Sequence, residues 1–371
     1  MDNATNNCTL PYWYRVVTDS TYFSVYYVVT PSYFIFGMIG HILCVSAFLK
    51  QLKHDPAYFY QILTSANEIL EIITFTLFIS SFYWWSGAES EGAHWFMSNY
   101  GCMWYAAHMA TPLVNMFITT SMFLSLSTTV DRLYALLKPF VYKNSNKRRH
   151  KIGAFCGSFV LGVSTSIFDC FRFQLTWDGD VYMLSVDKAY VGSLVATVLA
   201  QLRNVVRVLG LVALIASNTI LTTSYRRHNR QVGAVNNAAR TETMDVKETQ
   251  RRLREKTLMI LTICDSVLTT IGMTLLISYY AAVYISPTFT TCEGLLMAPV
   301  LDGTLQITEI SNFYIVFAAS KQFREMVSSA LPGCLRQALR LNQFKTIQAL
   351  PAHSSTHNIA QRNVDMLPAP E

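Results

Sequence analysis

Apolar residues in this chain do not recur with the period of a soluble helix. They gather in long blocks separated by polar stretches. A helix that crosses a bilayer needs about 20 consecutive, mostly apolar residues. Seven blocks reach that length, at roughly 22–49, 58–84, 105–130, 152–171, 190–223, 257–285 and 295–319. Lipid offers no water to backbone groups, so the spanning elements must satisfy their own hydrogen bonds. The pattern therefore predicts an all-α membrane protein, a seven-transmembrane helix bundle. Beyond Ala319, Phe323, Met326 and Val327 recur at i, i+3 and i+4 among charges, which predicts a short amphipathic eighth helix on the membrane surface. The expected divisions are an outer tail (1–20), the membrane domain (21–320), the surface helix (321–345) and a disordered cytosolic tail (346–371). The first block follows polar residues and lacks a small-residue cleavage site, so it is expected to remain as a span.

Charge gives the bundle an orientation. Only 14% of residues are charged, against roughly 25% in soluble proteins. Of the 29 Lys and Arg residues, 23 fall in the segments on one face, among them Lys147, Arg148, Arg149, Arg226, Arg227 and Arg230. The positive-inside rule makes that face cytosolic, with the N-terminus outside. The net charge of +6 thus reports topology and a fit to anionic membrane lipids, and does not argue for a nucleic-acid partner. The second half of the long inner link, 243–256, is rich in helix formers and predicts an inward extension of the sixth span.

With this orientation, Asn3 and Asn7 head glycosylation sequons on the outer side. Cys8, Cys102, Cys170 and Cys292 map outside or near the outer boundary, which allows three pairings. Cys102–Cys170 is favoured, with Cys8–Cys292 as the second bridge. Cys334 is a palmitoylation candidate, and an unmodified cysteine is the equal alternative.

Ionisable residues inside spans are functional candidates because lipid makes them costly. Asp131-Arg132-Leu133 sits where the third apolar block meets the basic inner segment, so the arginine can reach water or change partners. Glu68 and Glu71 share a face of the second span, and Glu309 and Asn312 a face of the seventh, with Asp302 two turns above. Glu68, Ser121, Glu309 and Asn312 fall at similar depth, predicting a small wet cavity that holds a cation or protons. Neutral, hydrogen-bonded carboxyl groups are the alternative. Arg203 and Arg207 share one face of the fifth span and require anionic partners, either those carboxylates or a ligand from outside. Snorkelling to the headgroups is the alternative there. Thr111, Asn115, His108 and Gln306 add polar groups toward the outer side. No paired-histidine helix, CxxC or Gly-rich phosphate loop is present, so no catalytic or metal site is expected. The paired broken helices of many transporters are not visible either.

These features, in register, resemble the rhodopsin-like G-protein-coupled receptors. The resemblance spans roughly 20–345. It is carried by Gly37, Gly40 and His41, by Ala66-Asn67-Glu68, by Ser121 with Asp131-Arg132-Leu133-Tyr134, by Asn218, by Asn312-Phe313-Tyr314 and by Ser320-Lys321-Gln322-Phe323-Arg324. Pro112, Phe171-Arg172-Phe173 and Asn218 are similar to invertebrate neuropeptide receptors of the FMRFamide and myosuppressin type. There are departures. His41 replaces Asn, Glu68 replaces Asp, Leu133 replaces Tyr, and the fourth span lacks the family Trp. Phe313 and Val316 stand where Pro and Tyr usually sit, and the sixth span lacks the Cys-Trp-x-Pro hinge. Gly210 and Gly272 are expected to supply the bends that the missing prolines would give.

The resemblance implies a plasma-membrane receptor, not an enzyme, that turns binding of an outer ligand, a neuropeptide by preference, into G-protein activation. Arg132 would carry coupling to a heterotrimeric G protein, Asp131 would restrain it, and arrestin would be a further partner. The cluster of Glu68, Ser121, Glu309 and Asn312 would tune the equilibrium through a sodium ion or a proton, with no other cofactor. Arg203 and Arg207, with Thr111, Asn115, Asp302 and Gln306, would line the ligand site and favour an anionic feature in the ligand. A receptor for a lipid or small anion, a proton- or ion-coupled seven-span transporter, and a scaffolding protein are the alternatives.

Overall fold

The computed structural model describes residues 20–21, 23–52, 58–79, 91–144, 147–238, 246–285 and 294–331. Seven long helices run through them: α1 (Ser24–Gln51), α2 (Tyr58–Ile79), α3 (Tyr100–Leu137), α4 (Lys147–Ser166), α5 (Leu194–Ala238), α6 (Val246–Ile285) and α7 (Gly294–Ala319), followed by a short α8 (Lys321–Ala330). Helices α1, α3, α4, α5 and α6 are long and apolar enough to cross a membrane. The other two, α2 and α7, are the ones that carry Glu68, Glu71, Asp302 and Glu309. Helix α3 packs against α2, α4, α5 and α6, while α1 closes the bundle against α2, α7 and α8. The start of α6 at Val246 matches the inward extension expected from 243–256.

Prolines shape two of these helices. Pro31 and Pro112 cannot donate to the carbonyl four residues earlier, and each follows a stretch of wider, π-type turn, Ser24–Val29 and Ala106–Ala110. Gly210 and Gly272 serve close packing. Both helices run unbroken through them, and an added Cβ at Gly210 would lie 2.5 Å from the Met122 methyl. At Gly272 it would lie 3.1 Å from Leu305. These glycines let α5 approach α3 and α6 approach α7.

The inner end of the bundle is sealed by Cys44, Ala47, Phe48, Tyr58, Leu258, Leu261, Phe313 and Val316 with Phe323, Met326 and Val327 of α8. The apolar face of α8 is thus buried against α1, α6 and α7. Ser320 caps α8 by accepting from the Phe323 amide at 3.2 Å. Thr257 of α6 donates to Gln322 at 2.8 Å, and Lys50 reaches the Ser329 carbonyl at 2.6 Å.

On the outer side the chain between α4 and α5 forms a hairpin, β1 (Phe173–Asp178) and β2 (Val181–Val186), antiparallel with Phe173 opposite Val186. Its two-residue turn begins at Gly179 with φ +68°, a backbone that favours glycine. Tyr182 stacks near Trp177 and Tyr100, ring centroids 4.6 and 5.4 Å apart, which docks the hairpin on the top of α3.

The expected Cys102–Cys170 bridge is not formed; both are free thiols. The Cys170 carbonyl instead lies 2.7 Å from His108 Nδ1 on α3. Cys8, Cys292, Cys334, Asn3 and Asn7 lie outside the described residues.

Two outcomes follow. Both Cys102 and Cys170 take up a thiol reagent without prior reduction, read by peptide mass spectrometry. At Gly162 an added Cβ would lie 2.7 Å from the Met116 carbonyl oxygen, whereas Gly153 faces open space. Gly162→Val therefore costs about 1–3 kcal/mol of overpacking, seen as a lowered unfolding temperature, while Gly153→Ala is near neutral.

Candidate functional site

Three polar assemblies occupy the bundle at successive depths. At the inner end of α3, Arg132 is buried and ion-paired with its neighbour Asp131. The short helix Pro139–Asn144 folds back so that the Tyr142 hydroxyl accepts from Arg132 at 2.7 Å and donates to Asp131 at 3.0 Å. The guanidinium carbon also lies 5.7 Å from the Tyr142 ring centroid, a cation–π distance. Leu133 beside them is half-buried. Tyr142 was not foreseen; it lies only ten residues from Arg132, but in a segment read from sequence as loop. A buried pair of this kind opens at a cost of several kcal/mol unless a new partner meets the arginine. That is the requirement for a group whose release depends on a second molecule.

The middle assembly is a cavity of about 50 Å³ lined by Glu68, Ser121, Asp265, Thr308, Glu309 and Asn312. All four residues expected at this depth are there. At 10–15 Å³ each, roughly three to five waters fit. Asp265 is the addition. It is buried on α6 and accepts from Ser125 at 2.7 Å and Asn312 at 3.0 Å, binding α3, α6 and α7 together. The signal for it was present, an acid in the centre of the sixth apolar block, the same feature that marked Glu68. Asn67 donates to Ser121 at 2.7 Å. His41 of α1 lies 2.9 Å from Glu68, and the two share a smaller void of about 10 Å³ with Gln61, Thr64, Ser65 and Asn312. Toward the outer side Tyr33 of α1 hydrogen-bonds Glu309, and Tyr26 donates to Asp302 at 2.8 Å.

The outer assembly joins α3, α4 and α5. Arg203 is ion-paired with Asp169 at the end of α4, and Asn115 donates to the same carboxylate at 3.2 Å. Arg207 is fully buried and donates to the Asn115 amide oxygen at 2.9 Å and to Thr119 at 3.0 Å. Asn115 also reaches the Thr111 carbonyl at 3.1 Å. The anion beside Arg203 is thus Asp169, in the turn that follows α4, and both arginines are buried, which replaces snorkelling. Of the residues expected to line a ligand site, Arg203, Arg207, Asn115 and Thr111 form one network. Asp302 and Gln306 lie on α7 outside it, Asp302 against Tyr26 and Gln306 buried.

Asp169→Asn leaves Arg203 without its carboxylate and lowers stability by about 3–5 kcal/mol. Combining it with Arg203→Gln costs less than the sum of the two. Thermal unfolding of the lipid-reconstituted protein measures both, and strict additivity would refute the pairing.

No family model matches the sequence, and no curated protein sequence matches it. Among solved structures the chain is similar in fold to squid rhodopsin, with a TM-score of 0.56 at 16% identity, over 84% of this chain and 85% of that chain. The architecture is thus a rhodopsin-like helical membrane bundle.

Proposed function

We propose that this protein is a cell-surface receptor that converts binding of an outer ligand into activation of a heterotrimeric G protein. The observation that carries the reading is the Asp131–Arg132–Tyr142 assembly at the inner end of α3, in a bundle of rhodopsin-like fold. It is a buried cation held by two local partners on the basic face, which is the face the positive-inside rule assigns to the cytosol. An intracellular protein that supplies acceptors to Arg132 stabilises the released form, and an outer ligand favours that form to the extent of its differential affinity. Arrestin, which engages the same face in the family resembled, is a second cytosolic partner of this reading, and the plasma membrane is its site.

The favoured ligand is a peptide with a carboxylate or other anionic group, with a lipid or small organic acid as the alternative. The support is the arginine pair on α5, where such a group would take the place of Asp169 beside Arg203. A proton- or ion-coupled transporter remains a second reading, favoured by the carboxylates Glu68, Asp265 and Glu309 around one wet cavity.

Guanine-nucleotide exchange on a panel of purified G proteins tests the proposal. Arg132→Ala abolishes exchange. Tyr142→Phe removes two hydrogen bonds to the lock, each worth about 1 kcal/mol, and raises ligand-free exchange several-fold. Arg203→Gln weakens ligand potency roughly 10- to 100-fold, as expected for loss of a charge-assisted bond of about 1.5–3 kcal/mol, read per receptor at the surface because the same change leaves Asp169 unpaired. Absence of exchange across the panel, together with proton flux sensitive to Glu68→Gln, selects the transporter.

A further inference from the structure

Thr257 is the first residue of the sixth apolar block, at the point where α6 leaves the membrane on the inner side. Ser320 is the extended residue that separates α7 from α8. Both are buried. They lie beside an apolar seal made by Leu258 and Leu261 of α6 with Phe323, Met326 and Val327 of α8. Hydroxyls buried in such surroundings need hydrogen-bond partners.

The partners can be assigned by counting hydrogens. A hydroxyl has one to give. Thr257 gives its own to Gln322 Oε1 at 2.8 Å. In the 3.3 Å contact between the Thr257 and Ser320 hydroxyls, Ser320 is therefore the donor. The Ser320 oxygen in turn accepts from the Phe323 amide at 3.2 Å. The bonds run in one direction, from Phe323 through Ser320 and Thr257 to Gln322. The chain begins and ends in the first turn of α8, and its middle member belongs to α6. Both bonds that cross between the two helices pass through one hydroxyl.

The apolar seal and this chain restrain α6 differently. Lipid tails are as apolar as leucine, so apolar faces of helices in a membrane gain little from choosing each other. A hydrogen bond is directional and weakens steeply once its geometry is lost. Drawing the inner end of α6 away from α8 breaks both crossing bonds together, and Ser320 and Gln322 then need water.

We propose that the Thr257 hydroxyl is a latch, which holds the inner end of α6 to the α7–α8 elbow and sets how often α6 swings away from the bundle. The latch rests on the fold and not on the receptor reading, so it is tested without a G protein, and failure of that reading leaves it standing.

The test is a distance measurement by pulsed electron paramagnetic resonance on the full chain in lipid nanodiscs. Spin labels are carried on a ketone-bearing amino acid in place of His150 on α4 and Lys256 on α6, both exposed, so the native cysteines stay. Thr257→Val raises the ratio of a longer separation to the main one about tenfold, the effect of losing two ordinary hydrogen bonds. Thr257→Ser, which keeps the hydroxyl, matches the wild type. So does Thr270→Val, whose hydroxyl bonds the Ser266 carbonyl of its own helix. Should Thr257→Val not fold, Gln322→Ala serves, with a smaller shift in the same direction, and adding it to Thr257→Val gives no further shift. An unchanged distribution in Thr257→Val and Gln322→Ala, or an equal shift in Thr257→Ser and Thr257→Val, overturns the latch.

Discussion

The bundle must accommodate charge where lipid cannot solvate it, and the positions of its polar groups follow from that constraint. Glu68, Glu71 and Asp265 are buried on α2 and α6, with Asp302 and Glu309 beside them on α7. Four of these five meet a protein group: histidine for Glu68, serine and asparagine for Asp265, tyrosines for Asp302 and Glu309. The buried arginines of α5 are treated the same way, with Asp169, Asn115 and Thr119 arranged around them. Every one of these contacts crosses between helices. The polar groups therefore set which helices are neighbours and at what depth, a task that featureless apolar faces perform poorly.

Helix α3 meets its neighbours through a series of polar side chains. Along its length Asn115, Thr119, Ser121, Ser125 and Asp131 face α4, α5, α2, α6 and the inner short helix in turn. A disturbance at the outer arginines and one at the inner Arg132 are thus connected through one rigid element, passing the wet cavity on the way.

The seven apolar blocks and the inward run of α6 were legible because membrane length and charge asymmetry are strong one-dimensional signals. The depth of Glu68, Ser121, Glu309 and Asn312 was legible too, because counting along a helix fixes height. What could not be read was azimuth and lateral neighbourhood. Arg203 announced that it needed an anion, yet nothing along the chain pointed to Asp169, which stood at a helix end. Gly210 and Gly272 looked like substitutes for proline because sequence shows what a residue permits. Only the packed bundle shows that Met122 and Leu305 occupy the space a Cβ would need. The amphipathic stripe of α8 was legible as a stripe, but the helices it packs against were not. Asp265 was passed over although its chemistry was visible.

The two longest helices have a mechanical consequence. At 45 and 40 residues, α5 and α6 run about 68 and 60 Å, against about 30 Å of hydrocarbon. Residues 224–238 of α5 and 246–256 of α6 continue past the apolar blocks on the inner side, so both act as lever arms. A tilt of about 5° at the midplane carries a tip roughly 35 Å away through about 3 Å. Rearrangements too small to disturb the packing around the cavity are thereby enlarged to a scale that another macromolecule can detect by contact.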